Sequence, residues 1–476
     1  MLRYLHGMLL IPNMSIVGRN SELELLEKWW KRPDEGMAII WGRRRIGKTA
    51  LAEAFSEGKR VLFHTGTNSA ANAELRVISR LAKPLVDSQT RDLIDRPFTD
   101  WIDCLDALAM TAKNERVLLV LDEFPELEKS SPELSSILRA FWDRVAKKTK
   151  LRILLAGSAV TWMEELQTER SALHGRFTLK LQLHPLAPMH VAAMLPKLAP
   201  AACAQVWGLV GGVPLYLKWW EQAQPIEENL RELFCGPGAK LLHEGEYILA
   251  TEASNSDLAR QCLFAIANGR TRYSEIKDAI MTSPARVLED LIALRLVKRV
   301  VPVTEITGRS KLSYYAIADN FLAFWLGPLS KYRSEIARGL GESILPVLLD
   351  EIDDFMGARW EDAYRQHLRH LANLQQLRHQ RIVAIGSFWR RGPDPAELDA
   401  IALAGRSREV VCIGEAKWTR EVDASRILPT LTKKAYSLPA VSPTVQYSIC
   451  ARGSVINAPD DCLVITAKDI FSPKSS

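Results

Sequence analysis

The stretch Met37-Ala38-Ile39-Ile40-Trp41-Gly42-Arg43-Arg44-Arg45-Ile46-Gly47-Lys48-Thr49-Ala50 decides the fold. Five consecutive apolar residues read as a strand buried on both faces, the signature of a parallel sheet. Gly42 to Thr49 then fits GxxxxGK[ST], and the helical Ala50 to Phe55 follows, so the motif stands in the strand, loop, helix context that gives it meaning. Glycines let the loop fold with its N–H groups inward around phosphates, and the helix that follows adds a favourable N-terminal dipole. Gly42, Arg43, Arg44, Arg45, Ile46, Gly47, Lys48, Thr49 and Ala50 are therefore the expected ATP cradle. Lys48 reaches the β- and γ-phosphates, and the Thr49 hydroxyl serves Mg²⁺.

Outward from this loop the same alternation returns. Val61 to His64, Val117 to Leu121 and Leu151 to Ala156 are short apolar strands with helical stretches between them. Val117-Leu-Leu-Val-Leu121 runs into Asp122-Glu123, delivering two carboxylates to the carboxyl edge of the sheet, where open parallel sheets bind ligands. Asp122 is expected to hold Mg²⁺ through its water shell, and Glu123 to polarise the attacking water. Upstream, Ser21 and Glu24 stand at capping-box spacing, so a helix is expected to begin there.

The chain has 476 residues, enough for two to four domains at about 150 residues each. An apolar share of 47% and a charged share of 25% match globular averages and exclude disordered and fibrous classes. No apolar run approaches the ~18 residues of a membrane-spanning helix, so no membrane partner is expected. Residues 1–13 lack a small-residue cleavage site and are set aside as an N-terminal extension. Seven scattered cysteines without CxxC spacing read as reduced core residues of a cytoplasmic protein. A net charge of +6 permits nucleic-acid contact without demonstrating it.

Beyond Pro185, Met189 to Trp220 reads as helical and is broken at Gly211-Gly212-Val213-Pro214; the two glycines and the following proline suit a hinge with a rigid stop. Leu258 to Ile317 reads as three helices and a hairpin around Thr307-Gly308-Arg309, the pattern of a winged helix. Ser283 is the expected N-cap and Pro284 the first residue of its third helix. That helix carries Arg286 but also Glu289 and Asp290, a poor mixture for approaching phosphates. Lys298, Arg299, Arg309 and Lys311 make the hairpin more basic. Contact with DNA through the hairpin and a purely protein-packing role both remain open.

In the last third, Leu398 to Leu403, a turn at Ala404 to Ser407, and Val410 to Lys417 read as a hairpin. Residues two apart in a strand face one side, so Glu415 and Lys417 project together, and Asp399 on the neighbouring strand can join them. Two acids and a lysine in this arrangement meet the needs of a metal-dependent phosphodiesterase: the acids, Asp399 and Glu415, hold the metal, and the cation orients water or stabilises the transition state. Arg365, Arg369, Arg378, Arg381, Arg390 and Arg391, with Trp389 among them, could track a phosphate backbone or form a solvated face.

These residues give the chain a resemblance to the archaeal-type P-loop ATPases of the AAA+/STAND group that carry a C-terminal PD-(D/E)xK nuclease-like domain. The resemblance is carried by Ile16-Val-Gly-Arg-Asn-Ser-Glu22, Trp41 to Thr49, Leu121-Asp-Glu-Phe124, Leu155-Ala-Gly-Ser158, Gly211-Gly-Val-Pro-Leu-Tyr216 and the Asp399, Glu415, Lys417 set. It implies that the opening segment lies near the adenine, that Ser158 is a sensor, and that Pro214 marks a lid closing on the nucleotide. Arg176 resembles the family's basic residue before the lid; it senses γ-phosphate in cis or from a neighbour, or is a surface ion pair. By the same resemblance Glu361, in Arg359-Trp-Glu-Asp-Ala-Tyr, completes the nuclease site. Leucine rather than proline precedes Asp399.

The expected fold is α/β: a P-loop NTPase parallel sheet (14–185), a helical lid (186–245), a winged helix (246–335) and a C-terminal restriction-endonuclease-like domain (336–476). The expected function is an ATP-hydrolysing switch, using ATP and Mg²⁺, that controls a metal-dependent DNA endonuclease. A regulatory or scaffolding ATPase with a non-cleaving nuclease-like domain is the alternative, and a DNA-binding regulator acting through the winged helix is a third. DNA is the expected partner, and self-association is permitted.

Overall fold

The computed structural model describes residues 16–33, 36–87, 91–145, 148–252, 256–305, 312–391 and 395–472, together with the backbone of two paired two-residue strands, Tyr4–Leu5 and Met8–Leu9. Most of the expected 1–13 extension therefore lies outside the described residues. So do Thr307, Gly308, Arg309 and Lys311 of the expected wing. The chain divides into two compact units, Met1–His184 and Pro185–Ser476.

The first unit opens with helix α1, Asn20–Lys31. Strand β1, Met37–Trp41, is buried at every position and is followed by the glycine loop and helix α2, Lys48–Ser56. Strands β2 (Val61–Thr65), β3 (Val117–Asp122), β4 (Leu151–Gly157) and β5 (Phe177–Gln182) complete a parallel sheet of order β2-β3-β4-β1-β5. The last strand was not legible in advance: its burial alternates, as befits a sheet edge, so it lacks the continuous apolar run of its neighbours. Side chains alternate between two cores. Ile39, Leu119 and Ile153 pack on one face of the sheet, and Ile40, Val120 and Leu154 pack on the other with Leu51 and Phe55 of α2. The Ser21–Glu24 capping box does not form. Arg19 occupies the N-cap without a side-chain cap bond, Ser21 Oγ donates to Glu22, and Glu24 faces Lys28 across 3.6 Å.

The second unit holds the helical segment, the three helices with their hairpin and the terminal sheet, the three parts expected beyond residue 185, and one continuous apolar core runs through them. Helix α3, Pro214–Trp219, follows the two glycines. Gly212 stands at a close approach: a Cβ there would strike the backbone of Leu186, whose N–H donates to Gly212 O at 2.7 Å. Glycine is required at 212 for close approach. Helices α4 (Asp257–Ala267), α5 (Tyr273–Ile280) and α6 (Ala285–Ala293) precede a hairpin of β6 (Val297–Val300) and β7 (Tyr314–Ile317). Pro284 is the N-cap of α6 rather than its first residue, and Ser283 Oγ meets the Tyr273 hydroxyl instead.

Helix α7, Gly341–Asn373, leads into strands β8 (Ile382–Arg390), β9 (Ala396–Ala404) and β10 (Glu409–Lys417); helix α8 (Ala424–Ala435) then crosses to β11 (Val441–Ala451) and β12 (Leu463–Thr466). The sheet order is β8-β9-β10-β11-β12, antiparallel through the first three strands and parallel thereafter. Ala400, Ala402 and Ala416 share a core with Trp360 and Tyr364 of α7, and Ile401, Leu403 and Ile413 share one with Leu431 and Ala435 of α8. Among the described residues no helix is long and apolar enough to cross a membrane. The seven cysteines are free, and six are buried.

Candidate functional site

At the carboxyl edge of the first sheet the loop between β1 and α2 takes backbone angles that favour glycine: Gly47 stands at φ 93° and Gly42 at φ 152°, with Arg45 also left-handed at 67°. A side chain at Gly42 would collide with the Leu183 carbonyl. Lys48 is buried and its Nζ donates to Arg43 O at 2.9 Å, bridging the loop whose backbone would cradle phosphates. Thr49 Oγ1 donates to Asp122 Oδ2 at 2.8 Å. The other Asp122 oxygen is buried without a hydrogen-bond partner. Burial pushes the Asp122 carboxyl up from its ordinary value, against the Thr49 hydrogen bond, and adjacent Glu123 adds to the rise. A hard divalent cation suits this set of a hydroxyl and a poorly solvated carboxylate oxygen.

Glu123 leaves β3 in a left-handed turn, φ 46°, and its Oε2 accepts from both Ser158 N, at 3.2 Å, and Ser158 Oγ, at 2.8 Å. Ser158, just beyond β4, thus holds the carboxylate that would act on water. Arg176 is not brought to this group. It precedes β5, whose first residue Phe177 pairs with Met37, the first of β1, whereas the glycine loop follows the last, Trp41. Five residues of strand at ~3.3 Å each separate the two ends. Arg176 is instead clamped on Asp143 at 2.7 and 3.2 Å, the surface-ion-pair reading, and its γ-phosphate role in cis is withdrawn. Pro214 belongs to the second unit, as the first residue of α3.

Sequence reasoning missed Arg19. Only 5% exposed, it donates to Ile46 O at 3.0 Å and His184 O at 2.6 Å and pairs with Glu22 at 3.0 Å, tying the opening segment to the loop. Its three-residue spacing from Glu22 on a helix start was the available signal.

A second cluster forms in the terminal sheet. Between Gly386↔Ile401 and Phe388↔Leu398 the pairing advances two residues on β8 and three on β9, so β9 carries a bulge at Asp399 and Ala400. Bulges re-aim side chains. Asp399 Oδ2 accepts from Ala416 N at 2.8 Å, which docks it beside the Glu415-Ala416-Lys417 run. Lys417 Nζ meets Glu415 Oε1 at 2.7 Å, and Lys434 of α8 stands 3.6 Å from Glu415 Oε2, an oxygen that is buried without a hydrogen-bond partner. Glu361 comes in from α7, with Arg365 at 3.4 Å; Arg365 also donates to Asp399 O at 2.8 Å.

Burial, then Glu361, then Glu415 push the Asp399 carboxyl up to about 7. Burial likewise raises Glu361, against the pull of Arg365. For Lys417 burial alone would lower the pKa, but Glu415, Asp399 and Glu361 outweigh it and hold the ammonium charged. Oxygen donors crowded in this way fit a hard divalent cation. As the side chains stand, however, no group of three or more His, Cys, Asp or Glu among the described residues is arranged to hold a metal ion, because Glu415 is turned toward Lys417 and Lys434 and Glu361 toward Arg365. Lys434 was not foreseen; in the sequence it is one of two lysines, Lys433 and Lys434, in the last turn of a helix. Arg365 and Arg369 also leave the expected phosphate-tracking set, being part-buried and spent on Asp399 O and Ile385 O.

Comparison with known proteins finds an ATPase domain. Residues 16–219 match a family described as an ATPase domain predominantly from Archaea, and residues 325–427 match a family of archaeal and bacterial proteins of unknown function. An uncharacterized protein of Methanocaldococcus jannaschii is 26% identical over 459 residues, 95% of this chain and 99% of that protein. An uncharacterized ATP-binding protein of the same organism is 44% identical over 45 residues, 10% of this chain and 76% of its own. Among solved structures, the Walker-type ATPase of Pyrococcus abyssi superposes with a TM-score of 0.50 at 17% identity, covering 65% of this chain and 96% of that one. The chain carries an archaeal-type ATPase domain on an α/β fold with a parallel sheet.

Proposed function

We propose that this protein is an ATP-hydrolysing switch whose terminal sheet domain is a metal-dependent DNA endonuclease of the PD-(D/E)xK type, with the three helices and hairpin acting as a winged helix. The ATP half is supported by the glycine loop, the Thr49–Asp122 pair and the Glu123–Ser158 clamp. Lys48 would neutralise phosphate charge, Thr49 and Asp122 would hold Mg²⁺, and Glu123 would take the proton of the attacking water. The observation that carries the endonuclease half is the meeting of Asp399, Glu415 and Glu361, from three elements, around Lys417. A divalent cation held by Asp399 and Glu415 would supply Lewis-acid stabilisation of a phosphodiester in transition. Lys417 would release Glu415 and turn its ammonium to the reacting phosphate or water.

The lysine contacts of Glu415 favour a second reading, in which Lys417 and Lys434 neutralise the site permanently and the domain binds nucleic acid or protein without cutting it. Supercoiled, linear and branched DNA incubated with purified protein, with Mg²⁺, Mn²⁺ or EDTA and with or without ATP, separates the two. Metal-dependent nicking that disappears in Asp399→Ala and Glu415→Ala is expected. No cleavage by wild type under any condition, or undiminished cleavage by both variants, leaves the scaffolding ATPase as the account.

A further inference from the structure

We propose that a cleft in the second unit, between the hairpin and the edge of the terminal sheet, takes one unpaired nucleotide of a nucleic-acid strand on the exposed face of Trp389. This deepens the endonuclease reading, since it places a strand-holding subsite beside the Asp399 carboxylates, and it rests on that reading for its biological sense.

The cleft has a volume of about 350 Å³, and its lining includes Arg272, Tyr314, Trp389, Arg390, Arg391 and Glu397. That is the low end of ligand pockets, which suits one nucleotide better than a larger body. Trp389 and Tyr314 meet with ring centroids 5.1 Å apart at 51°, and both stay partly exposed. Aromatic rings presented in this way, beside cations, hold single strands by base stacking, which tolerates any base because every base has a π-face.

The charge of the cleft is divided. Arg390 donates to Ser437 O at 3.1 Å and Arg272 stands 3.7 Å from Glu275, so each is partly engaged. Arg391 is exposed at the end of the edge strand. Glu397 pairs in register with Trp389 and is the one acid among the described lining residues, where a carboxylate would accept from a base amine. Trp389 and Arg390 end one edge strand and Arg391 follows it, and among the described lining residues three arginines outweigh one carboxylate.

Two links tie the cleft to the carboxylate cluster. Glu397 lies two residues before Asp399 on β9, and both Glu397 and the cluster's Glu361 act electrostatically on Tyr314. A strand whose base sits on Trp389 therefore has its neighbouring phosphodiester within reach of the Asp399, Glu415 and Lys417 set. An intact duplex cannot use the cleft, because its bases are stacked on each other and their faces are covered. The preferred strand is thus an unpaired end, flap or gap.

The test is fluorescence anisotropy of full-length protein in an Asp399→Asn background, so that nothing is cut, with a fluorescein-labelled 12-nucleotide DNA strand, the RNA of the same sequence, and the blunt duplex. Trp389→Ala is expected to weaken single-strand binding about 5- to 100-fold, and Trp389→Phe to stay within about threefold of the background protein. Arg391→Glu, an exposed change that leaves the core untouched, should weaken strand binding and shallow its salt dependence by about 0.7 for each phosphate the protein no longer neutralises. Whichever of the DNA and RNA arms binds tighter names the strand. No single-strand binding, duplex binding as tight as strand binding, or strand affinity unchanged by both Trp389→Ala and Arg391→Glu overturns the proposal, even if wild type cuts duplex DNA. Weakened strand binding in the variants together with no cleavage by wild type upholds the cleft and removes the endonuclease.

Discussion

The two clusters of functional side chains differ in how they are built. The phosphate loop is one contiguous run, Gly42 to Thr49, whose shape comes from backbone angles; its partner Asp122 ends β3, and Ser158, which holds Glu123, stands just beyond the adjacent parallel strand β4. The carboxylate cluster draws Glu361 from α7, Asp399 from a bulge in β9, Glu415 and Lys417 from β10 and Lys434 from α8. The first is preorganised by local geometry, with Lys48 already across its loop. The second is a balance of opposed charges, in which every acid but Asp399 leans on a cation. A loop that is set by its backbone should tolerate side-chain changes structurally and lose only chemistry. A cluster that is set by charge should respond in stability and pH dependence as well.

The largest expected effects test the first half of that contrast. Lys48→Ala should abolish ATP hydrolysis and weaken nucleotide binding, while Glu123→Gln should keep binding and slow turnover on the order of 10²–10⁴-fold, since Glu123 acts on water and Lys48 on bound phosphate. Steady-state phosphate release and nucleotide titration check this; Glu123→Gln turning over at the wild-type rate would break the assignment.

Next in size, Lys417→Ala should reduce metal-dependent DNA cleavage roughly 10²–10³-fold without preventing Mn²⁺ from binding, because its charge is directed at the phosphate. Mn²⁺ binding followed by calorimetry, beside the cleavage rate, separates the roles. Loss of metal affinity in this variant would make Lys417 a structural partner of Glu415 only.

The charge balance itself is sharpened by Asp399→Asn. An acid whose folded pKa is raised keeps its proton in the folded state after the unfolded chain has released it, so stability falls as pH rises from about 4 to about 7, and the cost is fully present above that window. Removing the charge should therefore stabilise the second unit above pH 7 by on the order of 2–4 kcal/mol and change little below pH 4. Thermal unfolding across pH reads this directly. Mg²⁺ should raise the wild-type midpoint at pH 8 and leave the variant unmoved, whereas equal midpoints for both proteins at every pH would refute the strained-carboxylate account.

The smallest effect concerns the support of the loop. Arg19→Ala deletes charged hydrogen bonds to Ile46 O and His184 O and should cost about 1.5–3 kcal/mol in the first unit, with a modest loss of nucleotide affinity. Chemical denaturation with and without nucleotide measures both.

Sequence by itself determined the phosphate loop, because glycine spacing and a conformationally special backbone are local properties, and it determined the apolar strands of the first sheet, because continuous burial leaves a continuous apolar run. It also located the β9–β10 hairpin with its Asp399, Glu415 and Lys417, since alternation and a turn are short-range signals. Tertiary structure alone decided the rest. It placed Arg176 at the amino edge of the sheet, through the strand register with β1. It made Gly212 a point of close packing on Leu186. It turned Arg365 inward to Asp399 and brought Lys434 to Glu415. Each of these depends on which chain segment, distant in sequence, comes to lie alongside, and on how a buried charge finds its partner where water is excluded. No window of residues carries that information.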